Sequence, residues 1–269
     1  GRQPGGLVGA AVLFSLLSTL PQLLGPLGLP LMLAYLLLWP ALMGGMVLGM
    51  READAGRPVA PMVLFAGFGQ RLAAFLPLCL PLIAVIVVLV LVAGSQIDME
   101  GLRRFMEMSQ ANPQPSQAEA AEMLALLQVG SLFRMMLLAI VLALASFSLT
   151  FLAIPLVMLR GVPGFAALGL SLRALMSNLG AWLLYLVVGF VAVVIVGIAL
   201  GVAGLVLMLV LSALGPAGQV LGSLLMGMVL NVLMTVVVAA SQYLAWKDVF
   251  GEAPAGAEPP PPRETIAAL

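Results

Sequence analysis

Hydrophobic positions along this chain gather into six long runs, separated by short segments where glycine, proline or charge breaks the pattern. The runs cover about residues 7–24, 31–50, 72–94, 135–159, 181–215 and 220–246. Each reaches the roughly 18 apolar residues needed to cross a hydrocarbon core of about 30 Å. A membrane β-barrel would show short alternating segments instead. The pattern predicts an all-α fold, a polytopic membrane helical bundle of six transmembrane helices.

A second pattern sits between the runs. Residues 155–182, PLVMLRGVPGFAALGLSLRALMSNLGAW, leave one apolar run at Pro155, pass Arg160 and a Gly-Val-Pro-Gly turn, and enter the next run at Trp182. On a helical wheel Phe165, Leu168, Leu172, Leu175 and Met176 share one face, while Ser171, Ser177 and Asn178 fall elsewhere and Arg173 lies on a flank. Such a helix suits the membrane–water boundary, with its greasy face down and its polar face wet. Residues 61–71 read the same way, with Phe65, Phe68 and Leu72 on one face. The two pieces align without gaps, residues 64–75 (LFAGFGQRLAAF) on residues 171–182 (SLRALMSNLGAW). Both end as polar, polar, Leu, small, small, aromatic. Residues 2–7 look like the end of a third copy. The expectation is a three-fold repeat, each unit an interfacial amphipathic helix followed by a membrane hairpin.

The long polar connection, residues 95–134, reads as two short amphipathic helices broken at Asn112-Pro113-Gln114-Pro115. Ser116 and Glu119 have the spacing of a capping box, which favours a helix start there. The fifth run would be about 50 Å long as one helix. That overshoots a bilayer, so tilt, a bend near Gly197, Gly201 or Gly204, or a protruding end is expected. From Gly251 the chain is rich in Ala, Glu and Pro, and Pro259 to Pro262 stand in a row. The domain division is therefore a six-helix transmembrane domain over 1–250, carrying an outer amphipathic loop at 95–134, and a disordered Pro-rich cytoplasmic tail at 251–269.

Composition agrees, since 63% of the residues are hydrophobic and only 8% charged, against about 25% charged in a soluble domain. With 11 basic and 11 acidic residues the net charge is zero, and no nucleic-acid partner is indicated. Charge placement sets the topology. Six spans put both termini on one side, together with Arg2, Arg51, Arg57, Arg71, Arg160, Arg173, Lys247 and Arg263, against Arg103, Arg104 and Arg134 on the other. The excess of positive charge inside makes both termini cytoplasmic.

Little chemistry is on offer. The chain has no histidine and a single cysteine, Cys79, inside an apolar run. Proton-coupled carriers and intramembrane proteases rely on buried ionisable groups, which the runs essentially lack. No phosphate-binding loop, metal cluster or nucleophile–base pair can be assembled, so neither a cofactor nor an enzymatic activity is expected.

The remaining candidates are three groups. Arg51, Arg57, Arg160, Arg173 and Lys247 are candidates for anionic-lipid contact, although topology determination alone accounts for them. Gly45 with Gly49, and Gly197 with Gly201, have the spacing that lets helices approach closely. Polar residues within the runs ordinarily bond a neighbouring helix or their own backbone. The sharper reading gathers Ser146, Thr150, Asn231 and Thr235 into a polar groove for a lipid headgroup or solute.

At Arg2-Gln3-Pro4, Phe65-Ala66-Gly67-Phe68, Ile154-Pro155-Leu156-Val157, Leu170-Ser171-Leu172-Arg173-Ala174 and residues 243–251 (YLAWKDVFG), the chain resembles a family of uncharacterised multi-pass inner-membrane proteins of proteobacteria. That family is distantly similar to the membrane region attached to some glycerophosphodiester phosphodiesterases. The resemblance implies six spans in a bacterial inner membrane and carries no activity with it. Residues 95–134 are longer than the family pattern, so no role transfers to them.

The expected function is that of a non-enzymatic accessory or scaffold subunit of a larger inner-membrane complex. Its expected partners are membrane lipids and either another membrane protein or further copies of itself. The alternative is a protein that binds or transports lipids or hydrophobic solutes.

Overall fold

The structure, a computed structural model, describes residues 5–69, 71–96, 99–111, 116 and 129–251. The regular elements among the described residues are all helical. The proposed capping box reaches Glu119 and the proposed tail starts at Gly251, so both lie largely outside the described residues, as do Arg2 and Arg263.

Helices α1 (Gly5–Leu23) and α2 (Leu29–Asp54) form a hairpin closed by a 3₁₀ turn at Gly25–Gly28. Gly25 sits at φ +55°, a left-handed conformation that disfavours a residue bearing a Cβ. A Cβ on Gly28 would lie 1.8 Å from the Pro21 carbonyl oxygen, so the closing turn needs a glycine there too.

The chain then departs from expectation. Residues 61–71 do not form an amphipathic α-helix at a surface. Pro61–Phe68 is a 3₁₀ segment wedged between α1 and α2. Glycines admit it, because a Cβ on Gly6 would meet the Val59 carbonyl and one on Gly45 the Leu64 carbonyl oxygen at 2.2 Å. On the wedge itself, a Cβ on Gly67 would lie 2.3 Å from the Ala41 carbonyl oxygen. Pro61, Gly67 and Gly69 count against a regular α-helix here, and tertiary contact decides the outcome.

The wedge leads into α3 (Leu72–Phe75), a 3₁₀ turn at Leu76–Cys79 containing Pro77, and α4 (Leu80–Gln96). Helix α5 (Met99–Ala111) follows, and then α6 (Val129–Arg160), α7 (Gly164–Ser177), α8 (Leu179–Ser212) and α9 (Pro216–Phe250). Among the described residues, five helical stretches are long and apolar enough to cross a membrane: Leu29–Asp54, Leu72–Ser95, Gly130–Arg160, Leu179–Ser212 and Ala217–Phe250. The apolar part of α1, Gly5–Pro21, is shorter.

Helix α7 forms where the amphipathic pattern placed it, but the face it buries is another one. Gly164, Ala167, Ser171 and Ala174 are buried, while Phe165, Leu172 and Met176 are exposed. Ser171, expected on the wet face, is fully buried. The reason is close approach. A Cβ on Gly164 would stand 2.2 Å from the Ala74 carbonyl oxygen, a spacing that only small residues permit. Leu64 and Gly67 of the wedge are buried, and so are their counterparts Ser171 and Ala174, although one segment is 3₁₀ and the other α. The aligned aromatics Phe75 and Trp182 both pack against the core.

That core lies at one end of the bundle, where α2, α6 and α9 finish and α1 begins. Met43, Met46 and Val47 of α2 meet Phe151, Ile154 and Val157 of α6 and Tyr243 and Trp246 of α9 in one buried cluster. Helix α2 is buried on every side from Pro40 to Val47, as a helix apolar all round should be. Helix α8 is the opposite case, since no residue of its most apolar stretch is buried.

On α5, Glu100 pairs with Arg103 at 2.9 Å and Arg104 at 3.2 Å, and Arg103 also reaches Glu107 at 3.3 Å. The hydrogen bond from Arg103, followed by that from Arg104, holds the Glu100 carboxyl below its usual range. A depressed carboxyl favours the helix above the ordinary carboxylate pKa and ceases to do so as pH falls through its lowered value. Helicity of a peptide spanning residues 99–111 is therefore expected to decline on acidification below about pH 4, as read by circular dichroism. A flat profile would contradict it.

The two glycine pairs separate cleanly. Gly45 and Gly49 face packed neighbours, whereas a Cβ on Gly197 or Gly201 would have nothing within 4 Å. Gly45→Leu is expected to cost about 1–3 kcal/mol by overpacking and to lower the melting midpoint in detergent. Gly197→Leu is expected to leave that midpoint unchanged. Equal sensitivity at both sites would contradict the packing described.

Candidate functional site

A chemically varied cavity lies beside the core, between the end of α9 and the start of α8. It has a volume of about 470 Å³, within the range of small-molecule sites. Helix α6 supplies Ser148, Phe151 and Leu152; α7 supplies Ala174 and Leu175; α8 supplies Ala181, Trp182 and Tyr185; α9 supplies Ala245, Asp248 and Val249. Asn178 sits at the α7–α8 junction.

One wall is aromatic. Trp182 stacks on Tyr185 with ring centroids 5.2 Å apart and on Phe147 at 6.2 Å. Phe151 meets the same tryptophan edge-on at 4.8 Å. The indole N–H of Trp182 donates to Ser148 Oγ at 3.0 Å, and that hydroxyl in turn donates to the Leu144 carbonyl at 2.6 Å. Spacing made this wall possible, with Phe147 and Phe151 one helical turn apart on α6 and Trp182 and Tyr185 one turn apart on α8. Ser148 lies about 18 Å along α6 from Arg160, so the cavity reaches well in from the polar end.

The hairpin of α8 and α9 explains why a cavity forms. At its far end the two helices touch closely, where a Cβ on Gly204 would meet Met226 and one on Gly222 would meet Met208. At the near end α8 is clamped to α6 by Trp182 instead, and α9 turns into the core. The space between them is the cleft.

Four of the five candidate lipid-binding cations already have partners. Arg51 and Arg57 both pair with Glu52. Lys247 reaches Asp54 at 2.8 Å, and Tyr243 donates to the same carboxylate oxygen at 2.9 Å, tying α9 to the end of α2. Arg160 donates to the carbonyls of Phe250 and Gly251, both at 2.7 Å, and lies over the Trp246 ring at 5.6 Å. Those carbonyls end α9 and would otherwise lack partners, so Arg160 acts as a cap. Arg173 is exposed and makes no hydrogen bond or ion pair with a described residue.

The four residues of the expected polar groove are found as two pairs. Ser146 and Thr150 line a second cleft of about 310 Å³ with Tyr35, Trp39 and Cys79, whose lining includes neither Asn231 nor Thr235. The Thr150 hydroxyl is engaged with the Ser146 and Phe147 carbonyls. Asn231 and Thr235 approach each other on α9 at 3.4 Å. Sequence reasoning missed Trp182, Tyr185, Asn178 and Asp248 as site residues. The available signal was the pair of one-turn aromatic spacings, which carried no ligand chemistry until the fold joined them.

Compared with known proteins, the chain matches no family model, no curated protein and no solved structure. Among the described residues no three of His, Cys, Asp and Glu gather closely enough to hold a metal ion.

Ser148→Ala and Trp182→Phe remove opposite ends of one hydrogen bond. Each is expected to cost about 0.6–1.7 kcal/mol in the bundle, and the double variant little more than the larger single. Fully additive losses in thermal unfolding would contradict the bond.

Proposed function

We propose that this chain is a non-enzymatic integral membrane protein that holds a lipid or other hydrophobic solute in the cleft between α6, α7, α8 and α9. The observation that carries this reading is the exposed α8, fastened at its two ends and bare along its most apolar stretch. A cleft bounded by such a helix is open sideways to acyl chains. Its polar groups, Asn178 and Asp248, sit towards the end where charged side chains cluster, as a headgroup requires.

In this reading α1 is a sixth span. Its 19 residues make about 28 Å of helix, close to the thickness of a hydrocarbon core. The end of the bundle holding Arg51, Arg160 and Lys247 faces the cytoplasm, by the excess of positive charge there. The resemblance to proteobacterial inner-membrane proteins extends the proposal to that membrane.

A second reading, an accessory or scaffold subunit, draws on the same helix. The bare face of α8 is also a surface on which a neighbouring protein or a second copy would pack.

Gentle extraction followed by native mass spectrometry tests the first reading. A single chain retaining one lipid is expected, and Ala181→Trp, which fills the cleft, is expected to reduce that retention at least fivefold. A chain that keeps no lipid but carries a defined protein partner would overturn it in favour of the scaffold.

A further inference from the structure

We infer that the cleft selects a zwitterionic lipid whose headgroup ends in an ammonium group, the carboxylate of Asp248 and the Trp182–Tyr185 wall receiving the cation. This rests on the reading of the cleft as a lipid site and adds the headgroup it takes.

Charge is the first argument. Asp248 lines the cleft, is exposed, and forms no hydrogen bond or ion pair with a described residue. Its neighbour Lys247 is engaged with Asp54 at 2.8 Å, and Arg160 is occupied with the carbonyls that end α9. The cleft therefore presents a carboxylate with no cation among its lining residues. An anionic headgroup placed there would meet like charge, and a cationic one would meet opposite charge.

The aromatic wall is the second argument. The stack of Phe147, Trp182 and Tyr185 ends at Tyr185, which lines the same cleft as Asp248. Its hydroxyl bonds to no described residue. Aromatic faces joined to a carboxylate are the recurring receptor for ammonium groups, because the ring quadrupole and the charge attract the same ion.

Shape is the third. Leu152, Leu175 and Val249 make the rest of the lining largely apolar, and the cleft is open where its lining residues Ala181 and Val249 are exposed. That opening suits acyl chains and commits the occupant to a lipid rather than a soluble amine.

The test uses the full chain in mild detergent, titrated by native mass spectrometry with phosphatidylethanolamine and, separately, with phosphatidylglycerol of identical acyl chains. Wild type is expected to bind the first about fivefold more tightly. Asp248→Asn is expected to abolish that preference while leaving helicity and elution unchanged, and Tyr185→Leu to reduce it. Equal affinity for the two lipids, or a preference that survives Asp248→Asn, would overturn the inference while leaving the lipid site standing. Binding of neither lipid would remove both. Competition by soluble phosphoethanolamine as strong as that by the intact lipid would overturn the assignment to a lipid.

Discussion

Backbone approaching backbone through glycine is the constraint on which this architecture depends. A 3₁₀ segment cannot satisfy its peptide groups as fully as an α-helix, and inside a bilayer such backbone is tolerated only when protein surrounds it. Pro61–Phe68 is covered on its Leu64 and Gly67 side, because Gly9 and Gly45 leave room for it against α1 and α2 and Gly67 lets it touch Ala41. With the wedge seated, α2 is enclosed on all sides from Pro40 to Val47 and becomes there the axis on which α6 and α9 pack. The same device recurs at Gly164, where α7 docks on the turn that starts the α4 span. On the membrane reading proposed above, no hydrophobic force pulls the helices together, and contact area gained by small residues does this work.

The polar end of the bundle is organised by helix termini rather than by free charge. Arg160 closes α9, and the Tyr243–Asp54–Lys247 triad joins α9 to α2. These contacts consume the cations that charge placement alone would have offered to lipid headgroups. What they leave over is informative: Arg173 on α7 and Asp248 on α9, of opposite sign, on two of the four helices that border the cleft.

The apolar runs were readable because the penalty for an unsatisfied peptide in hydrocarbon forces long helices. The run at 31–50 became Leu29–Asp54, and the run at 181–215 became one continuous helix, Leu179–Ser212. The hairpin turn at Gly25 and the start of α7 after Pro163 were readable from their turn chemistry. The direction in which a helix faces was not. A greasy stripe such as Phe165, Leu172 and Met176 suits lipid as well as protein, so amphipathic pattern could not reveal that α7 buries its small residues instead. The wedge escaped for a related reason, since Phe65, Phe68 and Leu72 keep helical spacing while glycine contacts impose another geometry. The cleft joins residues from four helices, and Trp182 finds Ser148 only once α8 is clamped to α6. Local spacing holds no record of that meeting.

On the proposed reading α8 is held at its two ends with no buried residue along its most apolar stretch, so that the cleft is open to lipid. Site-directed spin labelling of the reconstituted protein tests this most directly, with nitroxides placed singly at each position from Val187 to Gly201. High collision rates with dissolved oxygen are predicted at the exposed positions, among them Phe190, Val191, Ile195 and Ile198, with only shallow minima at the half-buried Gly189, Val196 and Leu200. Rates on the face bearing Phe190 and Ile198 as low as those of the buried core would contradict it.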